Sequence, residues 1–190
     1  MIKTYKNMNS DNNGKSNECY TRLNEAYKLI NFLNKYNLTN KVIWCPFDKN
    51  ESNIVVALRN KNYKVINTHI DYGQDFLSYK PDFKFDLMIS NPPFSKRTKF
   101  FNKLNSYGKP YIMLQPIMFF NNNSMIKELI KDSNQYRFLL PNNRMRFIKN
   151  NQEFDKTTSF YSFWLCKGLF LNKNTFIKLD DLNENVIKNE

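Results

Sequence analysis

The sequence of 190 residues predicts a single α/β domain built on an open, mostly parallel sheet. Short apolar runs typical of buried strands alternate with segments whose apolar residues recur at helical spacing. A strand, a helix and a second strand also fit within about 30 residues, the length of a βαβ unit. In sheets of this kind, ligands bind in the crevice beyond the carboxyl ends of the strands, so we expect the functional site there.

The first predicted elements are a helix and a buried strand. Apolar residues recur at helical spacing between Leu23 and Leu33, which predicts a helix over residues 22–36 with Thr21 as its cap. Residues 41–47 form a mostly apolar run and predict a strand that is buried on both faces.

The next elements complete the βαβ unit. Residues 48–52 predict a turn, a helix then runs to about residue 60, and residues 64–70 predict the second strand. The crossover between the two strands is expected to be right-handed.

The later elements keep the same alternation. The apolar run over residues 86–90 predicts a strand, and the prolines that follow must end it because proline cannot donate to a ladder. Two further strands are predicted over 111–120 and 136–140, with a helix over 124–132 between them. A last strand is predicted over 159–167.

The chain divides into three parts by composition. Residues 1–17 are polar and predict a flexible arm, residues 18–170 predict the folded domain, and residues 171–190 predict a C-terminal extension. No long low-complexity linker interrupts the domain.

The charge balance favours a polyanionic partner. The formal net charge is +12, from 29 Lys and Arg against 17 Asp and Glu. Such an excess attracts nucleic acid through release of its counterions. The alternative is that the excess only keeps the protein soluble.

Composition argues against several other classes. Three cysteines and a single histidine, His69, without a C-x-x-C spacing support neither a disulfide framework nor a zinc cluster, so no metal is expected. No apolar run approaches the roughly 20 residues of a membrane span, and the amino terminus is not signal-like. We expect a cytoplasmic protein without a membrane partner, and the sequence leaves its oligomeric state open.

The most specific motif is Asn91-Pro92-Pro93-Phe94, directly after a predicted buried strand. The amide oxygen of Asn91 and the backbone carbonyl of Pro92 could each accept one N–H of a planar, delocalised amino group, such as that of adenine. This would turn the nitrogen lone pair toward an incoming methyl group. The prolines would keep the carbonyl aimed, and Phe94 could stack on an extruded base. The alternative is a rigid strand-ending turn with Phe94 in the core.

This motif resembles the (D/N/S)-P-P-(Y/F/W) loop of the amino-group DNA methyltransferases, specifically the small phage-type, Dam-like adenine-N6 enzymes. The resemblance covers residues 18–168. It implies a Rossmann-like class I methyltransferase sheet, mostly parallel with an antiparallel last strand. It also implies methylation of the adenine N6 amino group in DNA, with S-adenosylmethionine as cofactor. The catalytic residues would be Asn91, Pro92, Pro93 and Phe94.

The resemblance also points to cofactor contacts in four segments. Glu18-Cys-Tyr-Thr21 is similar to the segment that touches the methionine part of the cofactor, and the pair Asp75-Phe76 to one that contacts its adenine. Asp48 and Asp71 are candidates for the acidic residue that holds the ribose. The cofactor residues implied are Tyr20, Thr21, Cys45, Pro46, Phe47, Asp48, Asp71, Asp75 and Phe76.

Basic residues flank the expected base pocket in two loops. One set directly follows the Asn-Pro-Pro-Phe motif and the other precedes the last strand, so both could contact phosphates. We expect relaxed sequence selectivity, determined by the loops 95–110 and 141–158. The candidate nucleic-acid-binding residues are Lys96, Arg97, Lys99, Arg144, Arg146 and Lys149.

Other functions remain open at this point. The same loop occurs in methyltransferases of RNA bases and of a glutamine side chain, and the net charge argues only against the protein substrate. The turn after the first strand, residues 46–52, contains no glycine, although glycine would let the backbone approach a cofactor closely. A nucleic-acid-binding pseudoenzyme is therefore the alternative from a different class. We expect His69 to be structural or at the cofactor's edge, and Cys45 and Cys166 to be core residues.

Overall fold

The computed structural model describes residues 20–93, 95–149, 152–153, 160–169 and 175–179. The predicted arm over residues 1–17 lies outside them. The described part contains a seven-stranded, mostly parallel sheet and four α-helices, which confirms the α/β prediction. The helices are α1 (Leu23–Lys35), α2 (Asn53–Asn60), α3 (Arg97–Ser106) and α4 (Asn123–Lys131). The strands are β1 (Tyr20–Thr21), β2 (Val42–Cys45), β3 (Lys64–Asn67), β4 (Leu87–Ser90), β5 (Tyr111–Pro116), β6 (Tyr136–Pro141), β7 (Phe147–Lys149), β8 (Gln152–Glu153), β9 (Ser162–Lys167) and β10 (Phe176–Leu179).

The large sheet has the strand order β10-β6-β9-β5-β4-β2-β3. Strand β9 runs antiparallel to both of its neighbours, β5 and β6. The other four strand pairs are parallel. The carboxyl ends of β2, β3, β4, β5, β6 and β10 therefore meet at one edge of the sheet, where β9 begins.

Strand order reverses between β2 and β4. The chain moves from β2 to β3 on one side, and then returns across β2 to form β4 on the other side. Such a reversal leaves a crevice outside the carboxyl ends of the two central strands, because the connections leave in opposite directions. The loops after β2 and β4 border this crevice.

Two apolar cores lie on opposite faces of the sheet. Side chains alternate along β5, so that Ile112 and Leu114 join one core while Tyr111 and Met113 join the other. Helices α1 and α2 pack against the first core, and α3 and α4 against the second. The protein thus has three layers, with the sheet in the middle.

A smaller antiparallel sheet contains β1, β7 and β8. Thr21 pairs with Phe147 in this sheet. The prediction that Thr21 caps the first helix is therefore wrong: the residue at the cap position is Arg22, and Thr21 is extended because it pairs with β7.

Two predicted segments change character in the structure. The predicted loop 95–110 contains α3, which places the apolar residues Phe100, Phe101 and Leu104 in the core. The strand predicted over 111–120 ends at Pro116, where its pairing with Ser162 of β9 also ends. Residues Ile117–Asn121 continue as a 3-10 helix instead.

Strand β10 lies within the predicted C-terminal extension and joins the large sheet as the parallel partner of β6. Ile177 and Leu179 are buried, whereas Phe176 and Lys178 are exposed. The sheet therefore continues beyond residue 170. No helix in the described ranges is both long and apolar enough to cross a membrane.

Candidate functional site

The Asn-Pro-Pro motif opens directly at the crevice. Asn91 follows Ser90, the last residue of β4, so its position is set by the buried strand. Asn91 is half-buried, Pro92 is buried and Pro93 is exposed. Phe94 lies outside the described residues. The structure therefore places an amide side chain and a stiff backbone at the point where strand order reverses.

The loop after β2 is joined to this motif through the Asp48 carboxylate. The hydroxyl of Ser90 donates a hydrogen bond to Asp48 Oδ2. Asp48 also accepts hydrogen bonds from the Ser52 hydroxyl and from the backbone N–H of Asn91. One carboxylate thus connects the end of β4, the start of the Asn-Pro-Pro loop and the residue before α2.

Burial dominates the electrostatics of this carboxylate. Asp48 is 5% exposed. Removal from water raises the pKa of Asp48 to about 6, although its three hydrogen bonds act in the opposite direction. The group therefore titrates close to neutral pH.

Backbone contacts hold the loop after β2 against the ends of the neighbouring strands. The N–H of Phe47 donates to Ser90 Oγ at 3.2 Å. On the other side, Asn67 Nδ2 donates to the carbonyl of Asp48 at 3.0 Å. The N–H of Thr68 donates to the carbonyl of Cys45 at 3.1 Å. The loop is therefore fixed by β3 and β4 without any glycine.

Cys45 and Pro46 contribute to the interior of this region. Both residues are buried. Burial, with a further contribution from the Asp48 charge, raises the pKa of the Cys45 thiol. The thiol is therefore protonated at neutral pH, in agreement with a core role rather than a nucleophilic one.

The Tyr20-Thr21 segment lies beside the first turn of α2. Asn53, the first residue of α2, donates from Nδ2 to the carbonyl of Thr21 at 2.9 Å. Thr21 is 4% exposed, and its hydroxyl has no hydrogen-bond partner among the described residues. Tyr20 is half-buried. A buried hydroxyl in this state is a candidate ligand contact.

The segment after β3 carries His69 and Asp71. His69 is 8% exposed, and its Nδ1 accepts a hydrogen bond from the N–H of Asp71 at 3.1 Å. The proton of a neutral ring is therefore on Nε2. Asp71 is exposed and forms an ion pair with Lys49, whose ammonium lowers the pKa of Asp71. Ile70 between them is 60% exposed.

The contacts of Asp75 and Phe76 are with other parts of the protein and indicate a structural role. Asp75 Oδ1 accepts from the N–H of Leu77 at 3.0 Å and so organises a turn. Phe76 is 3% exposed and packs in an aromatic cluster against Trp44 and Phe47, with ring centroids 5.7 and 4.6 Å away. Of these three rings, only the half-buried Phe47 belongs to the loop after β2 that borders the crevice.

The basic residues after the motif differ in their surroundings. Lys96 and Lys99 are exposed. Lys96 has φ 55°, a left-handed conformation that is unfavourable for a lysine, directly before α3. Arg97 instead turns inward: its Nη1 donates to the carbonyl of Met118 at 3.5 Å, and its guanidinium lies 5.9 Å from the ring of Phe119. Arg97 therefore ties α3 to the segment after β5.

The second basic group lies in the loop after β6, at the same edge of the sheet. Arg144 and Arg146 are exposed on either side of the fully buried Met145. The backbone of Lys149 belongs to β7, while its side chain lies outside the described residues. Because β7 pairs with β1, this loop leads directly into the small sheet that also contains Thr21.

Several residues at this edge were not predicted from the sequence. Ser90 and Ser52 bind the Asp48 carboxylate, and Asn53 holds the Thr21 segment. Ser90 could have been suspected from its place immediately before Asn91. The other two have no sequence signal, since their partners are set by tertiary contacts. Within the described ranges, no group of three or more His, Cys, Asp or Glu side chains could hold a metal ion.

Comparison with known proteins gives no further guide to the site. No protein-family model matches the chain, and no curated protein matches it.

Proposed function

We propose that the protein is an S-adenosylmethionine-dependent methyltransferase that modifies the N6 amino group of adenine in DNA. The observation that carries the proposal is the position of Asn91 and Pro92. They leave β4 at the point where strand order reverses, which is where sheets of this kind bind their ligands. The mostly parallel order, with antiparallel β9 between β5 and β6, supports a Rossmann-like class I methyltransferase sheet.

The role of Asn91 follows from the chemistry of the amino group. The lone pair of the adenine amino nitrogen is delocalised into the ring, so the nitrogen is a weak nucleophile. The Asn91 amide oxygen and the Pro92 carbonyl would each accept one of its hydrogens and favour a pyramidal nitrogen. In the transfer, a new N–C bond would form as the methyl–sulfur bond broke, and the nitrogen would release its proton to solvent. Fixed orientation is the main contribution of the protein.

The residues at the edge of the sheet fit the proposed cofactor. Bound S-adenosylmethionine would supply an electrophilic methyl group on a sulfonium. The buried hydroxyl of Thr21, which has no hydrogen-bond partner among the described residues, suits a polar contact with the methionine part. Exposed Ile70 and half-buried Phe47 offer apolar surface for a purine. Asp71, paired with Lys49, suits the ribose less well.

The nucleic-acid partner is supported by charge and by position. The net charge is +12. Exposed Lys96 and Lys99 follow β4, which borders the crevice, and exposed Arg144 and Arg146 follow β6, whose carboxyl end lies at the same edge of the sheet. Phosphate contacts of this kind position a polymer without reading its sequence. The same features suit RNA, so the polymer must be determined by assay.

Transfer of a labelled methyl group from S-adenosylmethionine to DNA and to RNA tests the proposal. The wild-type protein should label DNA, and Asn91→Ala should lower the rate by about 100-fold or more because one acceptor for the amine is lost. Asn102→Ala, an exposed asparagine on α3, is the matched control and should retain the wild-type rate. Equal rates for wild type and Asn91→Ala would remove Asn91 from the mechanism.

A second candidate is a nucleic-acid-binding pseudoenzyme. The glycine-free loop of residues 46–52, with the Asp48 carboxylate engaged by protein groups, favours it. S-adenosylhomocysteine should raise the melting temperature if the proposed enzyme is correct, because a ligand that binds the folded state stabilises it. No shift at millimolar ligand, together with retained DNA binding, would favour the pseudoenzyme.

A further inference from the structure

The Asp48 carboxylate is the meeting point of three donors from different parts of the fold. Ser52 precedes α2, Ser90 ends β4, and the Asn91 N–H begins the Asn-Pro-Pro loop. The Ser90 hydroxyl also accepts from the N–H of Phe47 at 3.2 Å. A single buried group therefore bonds to the backbone of the residue that carries the proposed amine acceptor.

These contacts leave the carboxylate turned toward the protein. Asp48 is 5% exposed, and its hydrogen bonds are made to Ser52, Ser90 and Asn91. A group in this position acts on its neighbours, because its acceptor sites are directed to them. The Asn91 backbone is held on one side by this bond and on the other by the rigid Pro92.

We propose that Asp48 is a positioning residue that fixes Asn91 for hydrogen bonding to the target amine, in place of a direct contact with the cofactor. The inference rests on the proposed methyltransferase function. In this role, the Asp48 carboxylate holds the loop after β2 against the loop after β4. Asp48 thereby controls the geometry of the transfer step rather than the affinity for the cofactor.

The choice of a charged group at this position supports a functional role. Burial raises the pKa of Asp48, so the ionised form is disfavoured in the folded protein. Only the ionised carboxylate offers acceptor capacity on both oxygens to all three donors at once. An asparagine would keep one oxygen acceptor but would present an NH₂ group to one of the donors.

Asp48→Asn separates positioning from cofactor binding. The variant should lower kcat by about 100-fold, the loss expected for a displacement of about 1 Å at the reacting group. KM for S-adenosylmethionine and the Kd of S-adenosylhomocysteine should stay within about threefold of wild type. Ser90→Ala, which removes one donor without adding another, should lower kcat in the same direction. Asp82→Asn, at an exposed aspartate, is the matched control and should behave as wild type.

Two kinetic results would overturn the inference. Unchanged kcat in Asp48→Asn would remove any positioning role. If kcat is unchanged and kcat/KM falls only because the variant binds the cofactor more weakly, Asp48 would be a cofactor contact. Thermal unfolding of each variant is the control that it is folded at the temperature of the kinetic assay.

Hydrogen exchange of the Asn91 amide tests the brace without reference to activity. The Asn91 N–H should exchange at least tenfold more slowly in wild type than in Asp48→Asn. If wild type shows this protection but transfers no methyl group, the proposed function fails while the brace stands. Equal exchange in both proteins would refute the brace even in an active enzyme.

Discussion

The buried environment of Asp48 makes the stability of the fold depend on pH. The fold raises the pKa of its carboxyl group from 3.8 to about 6, chiefly by burial. A folded-state pKa above the unfolded value means that the folded protein binds the proton more tightly. The associated stability is therefore fully present below about pH 4 and is lost as the pH rises through about 6.

Asp48→Asn should show this dependence as a difference from wild type. The variant lacks the titrating group, so its free energy of unfolding relative to wild type should rise by about 2 kcal/mol between pH 4 and pH 7. Urea denaturation of both proteins at pH 4.5 and pH 7.5 measures the difference. A difference that does not change with pH would contradict the buried, shifted carboxyl group.

Thr21 provides a second prediction at the level of one side chain. Thr21→Val removes a buried hydroxyl that has no partner in the described part of the chain and keeps the side-chain shape. The free energy of unfolding of the ligand-free protein should rise by about 1 kcal/mol, because an unsatisfied polar group is removed. Calorimetry should show weaker binding of S-adenosylhomocysteine. Unchanged affinity would exclude Thr21 from the cofactor site.

The sequence predicted part of the candidate site. Asn91-Pro92-Pro93 was identified by composition and by its place after a strand, both of which are local features. The bond between Ser90 and Asp48 joins residues 42 positions apart, and no local pattern indicates it. The ion pair of Asp71 with Lys49 was also not predicted, although it changes how well Asp71 suits a ribose.

Among the elements, α3 differs most clearly from the sequence prediction, which placed a loop over residues 95–110. Its first residues are polar, and the apolar Phe100, Phe101 and Leu104 form only a short stripe, so the segment resembled a loop. Helix α1 carried a longer apolar pattern, and α1, α2 and α4 were predicted within a few residues. The short strands β1, β7, β8 and β10 depend on pairing with distant segments, which residue order alone does not specify.

A proline in α3 tests whether this segment is a helix. Asn102→Pro removes a backbone donor in the helix interior and should lower the free energy of unfolding by about 3 kcal/mol or more. Asn102→Ala should have little effect or stabilise slightly, since alanine favours helix. Chemical denaturation of the two variants is the measurement. Tolerance of proline at this position would indicate a loop over residues 95–110.

At the scale of the whole molecule, two features support nucleic acid as the partner. They are the excess of positive charge and the exposed basic residues at the edge where the parallel strands end. Arg144 and Arg146 are exposed at that edge, after β6. Lys64, in contrast, begins β3 and lies at the opposite edge. DNA binding at the proposed surface should therefore depend on Arg144 and Arg146 and not on Lys64.

The salt dependence of DNA binding measures this difference. Arg144→Gln and Arg146→Gln should each reduce the slope of log K against log salt by about one, the value expected for one lost phosphate contact. Lys64→Gln should leave the slope unchanged. Equal reductions in all three variants would indicate a diffuse attraction without a defined surface.

The most direct test of the account is identification of the nucleoside that the wild-type protein methylates. DNA and RNA are incubated separately with the protein and labelled S-adenosylmethionine, digested to nucleosides and separated. The account predicts label in N6-methyladenine from DNA. Absence of label in every nucleoside of both polymers, with no change in melting temperature on adding S-adenosylhomocysteine, would contradict it.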